Sequence, residues 1–125
     1  MSLINFIYSF LMFLNVLMLA VLVPGGPIEN RDFSKMRGAS FWGFNIFLIS
    51  LGVSSFIASY LLLVGSAIGV YIGIILGVLY LVVYAIDLAG FYPKSPTKMS
   101  NQLMFFEILN ACLAIYTVIV FVSIL

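Results

Sequence analysis

Four long apolar runs constrain this chain more than any other feature of its sequence. They cover residues 3–23, 41–64, 67–89 and 103–125 and contain only two charged side chains, Asp87 and Glu107. An α-helix of about 20 residues crosses the roughly 30 Å hydrocarbon core of a bilayer. Backbone groups in lipid must form hydrogen bonds within their own segment, so each run is predicted to be a helix rather than a strand.

The overall composition agrees with a membrane environment. Hydrophobic residues make up 65% of the chain and charged residues 7%, whereas soluble domains carry about a quarter charged residues. The formal net charge of +1 gives no electrostatic reason to expect nucleic acid as a partner. We therefore predict an all-α fold, an integral membrane four-helix transmembrane bundle that forms a single domain over residues 1–125.

The connections between the runs predict how the helices are arranged. A Pro-Gly-Gly-Pro sequence ends the first helix and opens a polar loop at residues 24–40. Only Gly65-Ser66 separates the second run from the third, which predicts a tight hairpin. A second polar loop covers residues 90–102, where Ser100 is the expected N-cap of the fourth helix. These connections predict an antiparallel up-down bundle with both termini on the same side.

The basic residues predict the orientation in the membrane. All five lie in the two polar loops, on one predicted face of the bundle: Arg31, Lys35, Arg37, Lys94 and Lys98. Loops rich in lysine and arginine remain on the cytoplasmic side. We therefore expect cytoplasmic loops and both termini on the opposite side of a plasma or inner membrane. In a thylakoid-type membrane, the alternative, the two faces would be stroma and lumen.

Small residues recur every fourth position in the central runs, at Gly65, Gly69, Gly73 and Gly77 and at Ser50, Ser54 and Ala58. Residues four apart share a helix face, so another backbone can approach closely, as in a glycine zipper. One interpretation is internal packing of the hairpin between the second and third helices. The other is an interface with a second copy or with another membrane protein subunit.

The two acidic residues inside the runs are the candidate binding residues. Ionisable groups in a bilayer are costly and often mark an ion or proton path. At similar predicted depth, a site could be formed by Asp87, Glu107, Asn45, Asn110 and Tyr84. It would hold a cation, a proton or a polar lipid-like head group. Alternatively, the carboxylates anchor the loops by pairing with Arg31, Arg37 or Lys94.

The residue inventory argues against most enzyme classes. The chain contains no histidine and one cysteine, which excludes a Ser-His-Asp triad, a Cys/His zinc site and an internal disulfide. No catalytic residue, metal or cofactor is predicted. The favoured function is helix-helix association in the lipid bilayer, as an accessory or assembly subunit or as a homo-oligomer. The alternatives are an oligomeric transporter or channel that uses Asp87 and Glu107, and a lipid- or quinone-binding protein.

Overall fold

Four α-helices account for nearly all of the chain that the structure, a computed structural model, describes: residues 2–22, 39–92 and 99–125. All four helices predicted from the sequence are present, and no strand occurs in these ranges. Their ends lie within two residues of the predicted ones. The helices are α1 (Leu3–Leu22), α2 (Ala39–Leu63), α3 (Ala67–Leu88) and α4 (Asn101–Ser123).

Each helix is long and apolar enough to span a membrane. Large apolar side chains are exposed on all four helices, for example Phe10, Ile49, Tyr71 and Ile119. A soluble bundle would bury such side chains and cover its surface with charged ones. The distribution fits a protein surrounded by hydrocarbon, and the chain is accordingly a candidate membrane protein with four spans.

Glycine ends α2 and α3 through the same capping geometry. Gly65 and Gly90 both have a φ of +79° and are the positive-φ residues of the described ranges. The amides of Ser66 and Phe91, one residue later, each donate to a carbonyl five residues earlier, which is the Schellman arrangement. A residue with a Cβ would be strained at either position. At the start of α4, the Ser100 hydroxyl accepts from the Leu103 amide at 3.1 Å, which confirms the predicted N-cap.

Each helix packs against its neighbours in the sequence, and α4 also contacts α1. Contacts pair the beginning of one helix with the end of the next: Ser9 of α1 bonds Ser59 of α2 at 2.8 Å, whereas Val16 lies opposite Gly52. The buried positions of α4 alternate in steps of four and three residues: Leu103, Glu107, Asn110, Ala114, Thr117 and Phe121. This is the spacing of a coiled-coil seam.

The same alternation on α3 produces layers across the interface with α4. Gly73 faces Phe121, and Gly77 faces Val118 and Thr117. From Gly73 to Gly77 the residue number rises along α3, while the number of the contacted residue falls along α4, as expected for antiparallel helices. Continued by two heptads from the Gly73–Phe121 contact, the register brings Asp87 of α3 and Glu107 of α4 to the same level.

Candidate functional site

Four polar side chains are buried together between α3 and α4, close to the ends of these helices that adjoin the second polar loop. Asp87 is 8% exposed, Tyr84 2%, Glu107 2% and Asn110 1%. Residues three apart share a helix face, so Tyr84 and Asp87 project from one side of the interface and Glu107 and Asn110 from the other. The register places Asp87 level with Glu107 and Tyr84 level with Asn110. We call these four residues the acidic cluster.

The side chains of the cluster lie close to one another and to Tyr80. Tyr84 lies near Glu107, and its ring stacks on that of Tyr80 with 6.3 Å between the ring centroids. The Asn110 Nδ2 donates to the Phe106 carbonyl at 2.6 Å, which fixes the orientation of the amide. Within the described residues, the Asn110 Oδ1 and the Tyr84 hydroxyl have no hydrogen-bond partner. The Asn110 Oδ1 can therefore accept a further hydrogen bond, and the Tyr84 hydroxyl can donate or accept one.

Asn45, the fifth residue of the predicted site, is only half-buried. Its Nδ2 donates to the Phe41 carbonyl of its own helix at 3.0 Å. The hydrogen bonds of the described residues do not connect it to the acidic cluster. The predicted loop anchors Arg31, Arg37 and Lys94 lie outside the described residues, so pairing with the carboxylates stays a prediction.

The glycine stripe of α3 faces the protein's own interior. A Cβ at Gly69 would lie 2.9 Å from the Leu62 amide nitrogen, one at Gly73 would lie 2.5 Å from Phe121 Cε2, and one at Gly77 would lie 2.7 Å from Val118 Cγ2. Gly65 belongs to the turn, where its Cβ position is 3.0 Å from Asn5 Nδ2. The stripe therefore admits the end of α2 and side chains of α4.

Three small residues of α2 were predicted to pack against the glycines of α3, and they occupy three different environments. Ser50 is exposed, Ser54 is half-buried and Ala58 is fully buried. Two serines that the sequence reasoning did not select, Ser55 and Ser59, are buried instead. They belong to the buried set of α2, whose steps of three and four would have selected them: Leu48, Leu51, Ser55, Ala58, Ser59 and Leu62.

These serines form hydrogen bonds between helices. The Ser55 hydroxyl donates to the Leu51 carbonyl at 2.7 Å, so its bond of 2.7 Å with the Tyr80 hydroxyl must use the Tyr80 proton. The Ser59 hydroxyl donates to the Ser9 carbonyl at 3.0 Å, so in the Ser9–Ser59 hydroxyl pair Ser9 is the donor. Both pairs are buried.

A third pair joins α1 to α4. The Asn15 Nδ2 donates to Thr117 Oγ1 at 2.9 Å, and the Thr117 hydroxyl donates to the Leu113 carbonyl at 2.8 Å. Such bonds hold membrane helices together. Buried polar side chains thus occur at several levels of the bundle, and among the described residues the buried carboxylates both belong to the acidic cluster.

The composition of the acidic cluster limits its chemistry. Among the described residues, no three acidic or cysteine side chains come together in a group that could hold a metal ion. Two carboxylates, a phenol and an amide can take up a proton or coordinate a monovalent cation.

Comparison with known proteins identifies the family of the chain. No curated protein and no solved structure is significantly similar to the chain. One family model matches residues 4–125, which is nearly the whole sequence and all four helices. The chain therefore belongs to the family described as a domain of unknown function, DUF8051.

Proposed function

We propose that this protein is an integral membrane protein that binds a small monovalent ion, a proton or a cation, at the acidic cluster and passes it across the membrane. The observation that carries the proposal is the joint burial of Asp87 and Glu107 between α3 and α4. A carboxylate taken out of water is destabilised unless it is protonated or compensated. Two carboxylates at one level of a helix interface favour the binding of one positive charge.

The arrangement of helices in the bilayer is part of this proposal. The contacts between neighbouring helices support four crossings in an antiparallel up-down bundle, with both termini on one side. The basic loops would lie in the cytoplasm or, in a thylakoid-type membrane, in the stroma. The acidic cluster would then open toward the side of the basic loops. Four helices leave little room for a wide aqueous pore, so transport of a larger solute would need at least a dimer.

The test is ion flux into liposomes that contain the purified full-length chain. We expect Asp87→Asn and Glu107→Gln to abolish flux while the helical content is preserved. Glu29→Gln is the matched control, because Glu29 lies in the polar loop and outside the spans. Flux that is the same in all three variants, or no flux and no ion binding in the wild-type protein, would contradict the proposal.

A second candidate function, association with other membrane helices, is favoured by the outer face of α2. Gly43 and Ser50 are exposed and Ser54 is half-buried, and no atom lies within 4 Å of a Cβ placed on Gly43. These residues are seven and four positions apart, so they form one stripe of small side chains that the bundle itself does not cover. A second copy or another subunit could pack closely there. The glycines of α3 do not support this function, because the chain's own side chains occupy them.

Cross-linking tests the association. In a Cys112→Ser background, Ser50→Cys should form a disulfide between two chains if the protein self-associates through this face. Tyr71→Cys is the matched control, because Tyr71 is exposed on α3. If both cysteines cross-link equally, the contact is random collision. If neither does and gentle-detergent purification yields a lone chain, association through this face is wrong.

A further inference from the structure

Hydroxyl side chains lead from the acidic cluster toward the opposite end of the bundle. They are Tyr84, Tyr80, Ser55, Ser59 and Ser9, and every one of them is buried. Steps along a helix alternate with steps between helices. Tyr84 and Tyr80 are one turn apart on α3, Tyr80 bonds Ser55 at 2.7 Å, Ser55 and Ser59 are one turn apart on α2, and Ser59 bonds Ser9 at 2.8 Å. We call these five residues the hydroxyl chain.

Each end of the hydroxyl chain lies beside a further polar side chain. At one end, Tyr84 belongs to the acidic cluster, where the register set by the contacts of Gly73 and Gly77 with α4 places it within one helical turn of Glu107. At the other end, Asn5 lies one helical turn before Ser9 and is partly exposed, next to the turn at Gly65. Asn5 is therefore placed where the chain of polar groups reaches the surface. Tyr84 and Tyr80, like Ser55 and Ser59, are four residues apart, a rise of about 6 Å along the helix axis. A relay across either of these two steps would include a bridging water.

From this continuity we propose that the ion handled by the protein is the proton, and that the hydroxyl chain conducts it between the acidic cluster and the side of the termini. The inference depends on the proposed function, since Asp87 and Glu107 would load and release the proton. A metal cation needs several oxygen ligands at each stop along its path. A proton needs a single oxygen, and single hydroxyls are what the α2–α3 and α1–α2 interfaces provide.

The transfer conserves protons and electron pairs at every step. Each hydroxyl oxygen accepts a proton on one side, forming a new O–H bond, while its own O–H bond breaks and that proton moves to the next oxygen. For each proton that enters at one end of the hydroxyl chain, one proton leaves at the other end. The Glu107 carboxyl, having given up its proton, returns to a carboxylate. Tyr80 donates toward Ser55 and Ser9 donates toward Ser59, so a passage in either direction requires one of these pairs to reverse. The Ser55 and Ser59 hydroxyls must also turn away from the Leu51 and Ser9 carbonyls to which they donate.

The proposal is tested on the full-length chain in liposomes with a trapped pH dye, where a potassium gradient and valinomycin drive proton entry. Tyr80→Phe and Ser59→Ala should each lower the initial rate about 10-fold or more, because each removes an oxygen that relays the proton. Tyr71→Phe and Tyr60→Phe are the matched controls, since both parent residues are exposed on the same two helices. Both controls should keep the wild-type rate.

A purely structural role for these hydrogen bonds predicts a different result. It would lower thermal stability in Tyr80→Phe and Ser59→Ala without changing proton flux per folded protein, and that outcome overturns the relay. Ser59→Thr, which keeps a hydroxyl, should retain flux where Ser59→Ala loses it. If Tyr80→Phe fails to fold, the alanine–threonine comparison at Ser59 still decides. If Ser59→Ala fails to fold, Tyr80→Phe decides.

The experiment also separates failure of the relay from failure of the proposed function. Full flux in Tyr80→Phe and Ser59→Ala together with no flux in Glu107→Gln would overturn the hydroxyl chain and leave the acidic cluster as an ion site. Sodium or potassium flux that is insensitive to the hydroxyl variants would overturn the proton as the substrate. The absence of any ion flux or binding in the wild-type protein would overturn both.

Discussion

Phe121 occupies the space next to Gly73 that any side chain at that position would need. A Cβ built on Gly73 would lie 2.5 Å from Phe121 Cε2 and 2.6 Å from Cδ2. Phe121 is fully buried and its ring meets the edge of Tyr8, with ring centroids 6.0 Å apart. Because the ring is enclosed, it cannot make room for a side chain at Gly73 without disturbing its neighbours. This one contact ties α3, α4 and α1 together at the end of the bundle away from the acidic cluster.

The first prediction follows from this contact. Gly73→Ala should lower the free energy of unfolding by about 1 to 3 kcal/mol, because it overpacks a closed interface. Denaturant unfolding in detergent measures the effect. Gly43→Ala is the matched control: no atom lies within 4 Å of its Cβ position, and alanine is the better helix former there, by roughly 0.5 to 1 kcal/mol. Equal destabilisation by both substitutions would contradict the packing argument.

The second prediction concerns the start of α4. Ser100→Ala should destabilise the protein by about 1 kcal/mol, because it removes the acceptor of the Leu103 amide. Ser66, at the corresponding position before α3, makes no side-chain capping hydrogen bond, so Ser66→Ala should have little effect. The same unfolding measurement compares them. A larger loss at Ser66 than at Ser100 would show that the capping bond is not what stabilises this end of the helix.

The parts of the fold that can be predicted from the sequence are those that depend on residues close together in the chain. The helices were predictable because hydrocarbon requires about 20 apolar residues per crossing. The turn at Gly65 and the cap at Ser100 were predictable because each depends on local backbone chemistry. A four-residue glycine spacing shows that something approaches the helix closely, but it does not name the partner. The short connection between α2 and α3 predicted α2 as the partner of the glycines. In the structure, side chains of α4 pack against Gly73 and Gly77.

The acidic cluster illustrates a second limit of sequence reasoning. Position within a span gives depth along the membrane normal, and on that measure Asp87 and Glu107 are shallow, about 3 and 6 Å from the ends of the predicted spans. Burial also depends on rotation about the helix axis, and the structure turns both residues into the interface between α3 and α4. On α2, a strict spacing of four residues predicted Ser50 as part of the packed face. The buried face follows alternating steps of three and four residues instead, so Ser55 is buried and Ser50 is exposed.

The third prediction concerns the Asn15–Thr117 bond. Asn15→Leu and Thr117→Val should each destabilise the bundle, and the double-mutant cycle should give a coupling energy of about 0.6 kcal/mol, with roughly 1.7 as the upper limit for such bonds in membranes. Ser123→Ala is the control, since the Ser123 hydroxyl bonds within its own helix end at Val120. A coupling energy of zero would mean that the two side chains contribute independently.

The fourth prediction tests the orientation in the membrane. In a Cys112→Ser background, a cysteine at Ser2 should react with a membrane-impermeant maleimide added to intact cells. A cysteine at Lys35 should react only after the membrane is permeabilised, because the basic loops are expected in the cytoplasm. Labelling of the Ser2 position only after permeabilisation would place the amino terminus in the cytoplasm and reverse the orientation.

Cys112 of the wild-type chain provides the matching test of membrane insertion. It is exposed on the bundle surface and lies near the middle of α4, a helix with the length and hydropathy of a span. If lipid surrounds this surface, the impermeant maleimide should not label Cys112 in intact or permeabilised membranes, because thiolate formation requires water. Denaturation in sodium dodecyl sulfate should make it reactive. Rapid labelling in native membranes would mean that water reaches the middle of α4, and the four-span arrangement would be wrong.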